Sequence, residues 1–186
     1  MTPTNENDNT IAFSQLRERA EHQPIIDFLK TEFPFVHGIE VASPMNIAGL
    51  YGVLADGTLR RLAFLSAGIY KIVSMLVATA SIRNGIILID EIENGIFYEK
   101  YPAIWRILYS FAQKTESQIF VTSHSDECLR ALPDIIDGKP NDFSLLRTSR
   151  ENGACKVEHI NGIAVKAALS GGNEIRGASG ARSHHA

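Results

Sequence analysis

Two short apolar runs limit the folds open to this chain more than any other feature: IILID, residues 86–90, and QIFVT, residues 118–122. Each is apolar at consecutive positions, as expected of a central parallel strand covered on both faces. Between them, from Pro102 onward, Ile104, Ile107, Leu108 and Phe111 recur at helical spacing, and proline is favoured in a first helical turn. Strand, helix, strand at this separation fits the right-handed crossover between parallel neighbours. Upstream, Ile69, Ile72, Val73, Leu76, Val77 and Ala80 mark a longer helix from Gly68 to Arg83, with Asn84-Gly85 supplying a left-handed cap. PIIDFLKTEF, 24–33, reads as a short amphipathic helix that stops before Pro34, because the residue preceding a proline avoids the helical region. LYGVLA and TLRRLAFL flank Asp56-Gly57, a strong hairpin signal, and a second hairpin is expected from Phe143 to Ile160. The fold class is therefore α/β, a parallel βαβ core with flanking hairpins.

In such sheets, ligands bind beyond the carboxyl ends of the strands. Both runs end there in polar residues, Asp90-Glu91 on one and Ser123-His124-Ser125 on the other. An Asp at a strand end can hold Mg²⁺ directly or through water, and an adjacent Glu can take a proton from an attacking water. Phosphoryl transfer needs both parts. The plainer reading is that the acids cap the next element. LSAG, 65–68, sets the Ser66 hydroxyl and backbone N–H groups at a helix N-terminus, which favours an anion. Its plainer reading is an N-cap serine followed by a tolerated glycine. His124 can donate to a phosphate oxygen or orient water; otherwise TSHS, 122–125, is a capped turn with a surface histidine.

Composition bounds the partners. With 186 residues, 45% of them apolar, and a net charge of −3, the chain reads as one globular domain with no bulk attraction to nucleic acid. Any contact with DNA has to be local, and Arg60 and Arg61 are poor candidates because neighbours on a strand face opposite ways. Cys128 and Cys155 have no metal-ligand spacing, and reduced thiols are expected. No apolar run approaches the ~20 residues of a membrane span and no leader pattern opens the chain, so a cytoplasmic location is expected. Residues 1–10 and 177–186 read as disordered polar tails, the second with the His184-His185 pair, and they flank a domain at 11–176. No internal repeat is present.

LSAGIYKIVSML, IILIDEIENGIFY and QIFVTSHSDECLRAL together resemble the second half of an ABC-type ATPase domain in the SMC-like and OLD-like group of bacterial AAA-labelled proteins. The resemblance runs from about Ile25 to Arg176 and takes in the closing NEIRG. It implies a partial P-loop NTPase fold with ATP and Mg²⁺ as ligands, working as a head-to-tail dimer. Carried over by position, Ser66 and Gly68 resemble the signature motif that touches the γ-phosphate held by the opposite protomer. Asp90 resembles the Walker B magnesium ligand, Glu91 the catalytic base and His124 the switch histidine. Glu93-Asn94-Gly95 sits where the family has a loop that contacts the other protomer. Phe97 stands where the family usually has histidine.

No G-x-x-x-x-G-K-[ST] run cradles phosphate in this sequence. Gly138-Lys139 has Pro133 in the place of the first glycine and Pro140 in that of the hydroxyl residue. LSGGN, 169–173, lies after His124, whereas a signature opens the helix that precedes the Walker B strand; a loop is expected there. The expectation is ATP binding and hydrolysis once a P-loop lobe from elsewhere completes the site. The alternatives are a non-catalytic module that docks on an intact ATPase and lends it LSAG in trans, or a truncated remnant.

Overall fold

A computed structural model describes residues 6–44, 47–151 and 153–171. The C-terminal tail with His184 and His185, the NEIRG segment and residues 1–5 lie outside the described residues. Where one domain is expected from 11 to 176, backbone contacts divide the chain into two compact units, Met1–Ser123 and His124–Ala186.

The first unit opens with α1 (Glu6–Glu18) and α2 (Gln23–Glu32), the latter carrying its proline in the first turn. Residues 6–10, expected in a polar tail, are drawn into α1. Asn9 and Thr10 are buried there, and Asn9 Nδ2 donates to Ser74 Oγ at 2.8 Å and to Tyr70 Oη at 3.2 Å. A long-range bond of this kind offsets the ordering entropy that composition alone leaves uncompensated.

β1 (Val36–Ala42), β2 (Gly49–Leu54) and β3 (Leu59–Arg61) form an antiparallel sheet in that order. The β2–β3 hairpin turns at Asp56-Gly57, where Gly57 has φ +79°. The Thr58 hydroxyl and amide both donate to Asp56 and hold its carboxyl below the usual carboxylate range. β3 stops early: LAFL, expected as strand, is the short helix α3 (Leu62–Leu65), which buries Leu62. Arg61 is taken up by an ion pair with Glu6 at 2.5 Å, leaving Arg60 exposed.

α4 (Ala67–Ser81) buries Ile69, Ile72, Val73, Leu76, Val77 and Ala80, the positions that the apolar spacing marks. It ends at an extended Ile82, before the expected Asn84 cap. Asn84 is nonetheless left-handed, at φ +50°, and its N–H donates to Thr115 O at 2.8 Å, which starts the next strand.

β4 (Ile86–Ile89) and β5 (Gln118–Val121) pair in parallel, Ile89 opposite Val121, and are joined through α5 (Tyr101–Thr115). α5 packs against α4, and with Phe13, Leu16, Ile104 and Leu108 these helices form the core. The pair departs from the sequence expectation on one point. Ile87 and Ile89 are buried, but Ile86 and Leu88 are each 57% exposed and Phe120 is 51% exposed. Consecutive apolar residues had implied cover on both faces; among the described residues, only one face is covered.

The second unit contains α6 (Asp126–Arg130), α7 (Pro133–Ile136), the expected hairpin as β6 (Ser144–Glu151) and β7 (Ala154–Asn161), and α8 (Gly162–Ser170). Its core is Ile136, Val165 and Leu169, with Leu145 and Ile160 from the hairpin packed against it. Lys166 donates to Asp137 and lowers the pKa of that carboxyl. Leu169 and Ser170, expected in a loop, end α8 and Gly171 is its cap, so the described part of LSGGN closes a helix rather than opening one; Gly172 and Asn173 lie outside the described residues. Cys128 is buried and Cys155 exposed, and neither is in a disulfide. No described helix is long and apolar enough to cross a membrane.

Candidate functional site

The chain turns sharply where β4 ends. The exposed–buried alternation of Ile86 to Ile89 continues to Asp90, which is exposed, and Glu91 follows in the left-handed region at φ +44°. A non-glycine residue there costs about 1–2 kcal/mol against the right-handed regions. Four hydrogen bonds hold it. Its N–H donates to Thr122 Oγ1 at 2.8 Å. Its carbonyl accepts from Lys71 Nζ at 2.5 Å and from the Asn94 N–H at 3.0 Å. Its Oε2 accepts from Asn94 Nδ2. Thr122 also donates its own hydroxyl proton to Asp90 Oδ1 at 2.5 Å. The parallel register explains this meeting: with Ile89 opposite Val121, the next positions along the two strands are Asp90 and Thr122.

LSAG lies against the loop that follows these acids. Ser66 is the N-cap of α4, its Oγ accepting from the Ile69 N–H at 3.4 Å. Gly68 is buried, and a Cβ built on it would stand 2.2 Å from Gly95 O. Gly95 itself has φ +75°. Both glycines are thus required by the backbone: Gly68 by close approach and Gly95 by its left-handed turn. The structure therefore brings Ser66, Gly68, Asp90, Glu91 and the Glu93-Asn94-Gly95 segment into one unit of the chain. Phe97 is 59% exposed, its ring 4.7 Å from that of Tyr98.

His124 is the first residue of the second unit and is exposed. Ser125 beside it caps α6, accepting from the Cys128 N–H at 3.1 Å, so the capped-turn reading of TSHS describes its local structure.

Sequence reasoning passed over two residues that the geometry brings in, Thr122 and Lys71, and read Asn94 only as part of a protomer-contacting loop, not as a partner of Glu91. Thr122 had a signal, since it follows one strand as Asp90 follows the other. Lys71 had none, because nothing in a periodicity says where a long side chain on α4 will end.

Asp90 suits a divalent ion as a lone carboxylate ligand. One oxygen is steadied by Thr122 and the side chain is exposed. Among the described residues no three His, Cys, Asp or Glu gather into a metal cage. Mg²⁺ commonly binds through one or two carboxylates, completing its shell with water and substrate phosphate.

A parallel strand–helix–strand unit with its acids at the strand ends defines an α/β architecture of the kind that binds ligands at that edge. More narrowly, the fold is shared with a solved chain from work on the ATP-driven dimerization and DNA-stimulated activation of SMC ATPases. The TM-score is 0.56 at 12% identity, over 86% of this chain and 96% of that one. No family model matches the chain, and no curated protein does.

Proposed function

We propose that this chain is the signature, Walker B and switch-histidine half of an SMC-like ATPase, and that it hydrolyses ATP once a P-loop lobe from another segment or chain completes the site. The observation that carries this reading is the uncovered face of the β4–β5 pair. Its apolar row of Ile86, Leu88 and Phe120 has no described cover, and the same alternation leads to Asp90. The SMC ATPase chain of like fold is nearly all spanned by the alignment, so the two are of similar length.

In this reading a Glu91 carboxylate oxygen takes the proton of the attacking water, with Asn94 fixing the carboxylate. Asp90 is the protein ligand for Mg²⁺, which when bound neutralises charge on the phosphates. Ser66 and the N-terminus of α4 face the γ-phosphate held by the opposite protomer of a head-to-tail dimer, either a second copy completed by its own P-loop lobe or an intact ATPase, where an anion meets the positive end of the helix. His124 steadies the water or γ-phosphate of its own site.

The test is turnover by the chain assembled with a P-loop-bearing partner. Glu91→Gln is expected to abolish hydrolysis while preserving nucleotide binding, because the amide keeps size and hydrogen bonding but takes no proton. Asp90→Asn is expected to weaken Mg²⁺-dependent binding instead. A Glu91→Gln rate within about twofold of wild type, ~0.4 kcal/mol of barrier, overturns the assignment.

A further inference from the structure

Thr122 sits at an exposed sheet end, yet its one oxygen is engaged twice: it donates to Asp90 Oδ1 at 2.5 Å and accepts from the Glu91 N–H at 2.8 Å. The threonine backbone is tied to the same turn, its N–H donating to Ile89 O at 2.9 Å and its carbonyl accepting from the Ile92 N–H at 3.1 Å. The side chain thus bridges a carboxylate and the main chain of the next residue, from a backbone that is itself fixed to that turn.

Stability alone is a poor account of this arrangement. Hydrogen bonds at an exposed position compete with water and contribute little net. What they do set is geometry. Glu91 occupies an unfavourable backbone region, and residues so held persist where the surroundings over-determine them, often at functional sites. A β-branched residue has few χ1 choices, so the bridging oxygen is held in place.

We infer that Thr122 is a positioning residue for both acids, its hydroxyl fixing where the Asp90 carboxylate points relative to the Glu91 main chain. Valine keeps the branched shape and loses both bonds, while serine keeps both bonds and loses some rotamer restriction. This inference rests on the ATPase reading for its functional half only, since the bridge can be measured without nucleotide.

The experiment has two arms. In the full chain, amide hydrogen exchange followed by NMR is expected to show the Glu91 amide losing about tenfold of its protection in Thr122→Val, the loss of one hydrogen bond, and keeping most of it in Thr122→Ser. Unchanged protection in Thr122→Val overturns the bridge. In the chain assembled with a P-loop-bearing partner, Thr122→Val is expected to lower kcat by about ten- to a hundredfold and to raise KM for Mg-ATP, because the Asp90 carboxylate loses its anchor as well, and Thr122→Ser to recover most of both. Glu91→Gln, run alongside, separates the two ideas. Loss in Glu91→Gln with a normal rate in Thr122→Val overturns the positioning role and leaves the ATPase reading standing. A normal rate in Glu91→Gln overturns the ATPase reading and the positioning role together.

Discussion

The residues that matter most each do structural duty in their own chain as well as the duty proposed for them. Gly68 shows this most directly. A Cβ at this position would stand 2.2 Å from Gly95 O, a backbone atom that cannot rotate away. Gly68→Ala is therefore expected to destabilise the fold by about 1–3 kcal/mol, which overpacking of this kind typically costs. In a thermal melt of a chain this long, that is a drop of roughly 2–4 °C per kcal/mol, and an unchanged Tm would show that the loop gives way freely. Ser66 and His124 discriminate between the two functional readings. Ser66→Arg blocks the α4 N-terminus for either an ATPase half or a module lending LSAG in trans, whereas only a catalytic half needs His124. In an assembled ATPase, loss from both Ser66→Arg and His124→Ala, about ten- to a hundredfold each, supports catalysis. Loss from Ser66→Arg alone supports docking, and loss from neither defeats both readings. The acids and the LSAG positions were legible because spacing places them at element ends. The Asn94 and Thr122 bonds were not, since they depend on a left-handed Glu91 and on a strand register that no single run of sequence reveals.

Elements were legible where periodicity and burial agree. The α4 pattern names its core face correctly, and Asp56-Gly57 turns the β2–β3 hairpin. The errors have physical causes. LAFL joins a helix because Leu62 gains a fully buried site that continuing the strand would not have guaranteed. Residues 6–10 look like a tail until Asn9 finds Ser74, a bond across 65 positions that local composition cannot anticipate. Most instructive is the β4–β5 pair, whose sequence asks for cover on two faces and which, among the described residues, has it on one. Leu88→Ser tests whether that face is an interface. At 57% exposure in the chain alone, the substitution is expected to change folding stability by no more than about 0.5 kcal/mol and to raise the soluble yield. It should also weaken assembly with a P-loop-bearing partner, as measured by analytical ultracentrifugation. Wild-type assembly by Leu88→Ser would place the partner elsewhere.

At the scale of the whole chain there are two compact units, and the candidate residues are shared between them: Ser66, Gly68, Asp90 and Glu91 in the first, His124 at the start of the second. The resemblance read from the sequence extends across both units. Nucleotide binding is a property expected only of a larger assembly. Phosphate cradling supplies much of the affinity in these folds, and the chain has no glycine-rich run to supply it. Calorimetric titration of the chain alone with Mg-ATP is expected to give no measurable binding, and a dissociation constant near the micromolar range would overturn that. The bare strip at Ile86, Leu88 and Phe120 finally makes abundance a question of dosage. Where the completing lobe is a separate chain, copies synthesised beyond the supply of their cover are the ones left to chaperones and proteases, so the ratio of the two chains, more than the output of either, sets how much ATPase a cell holds.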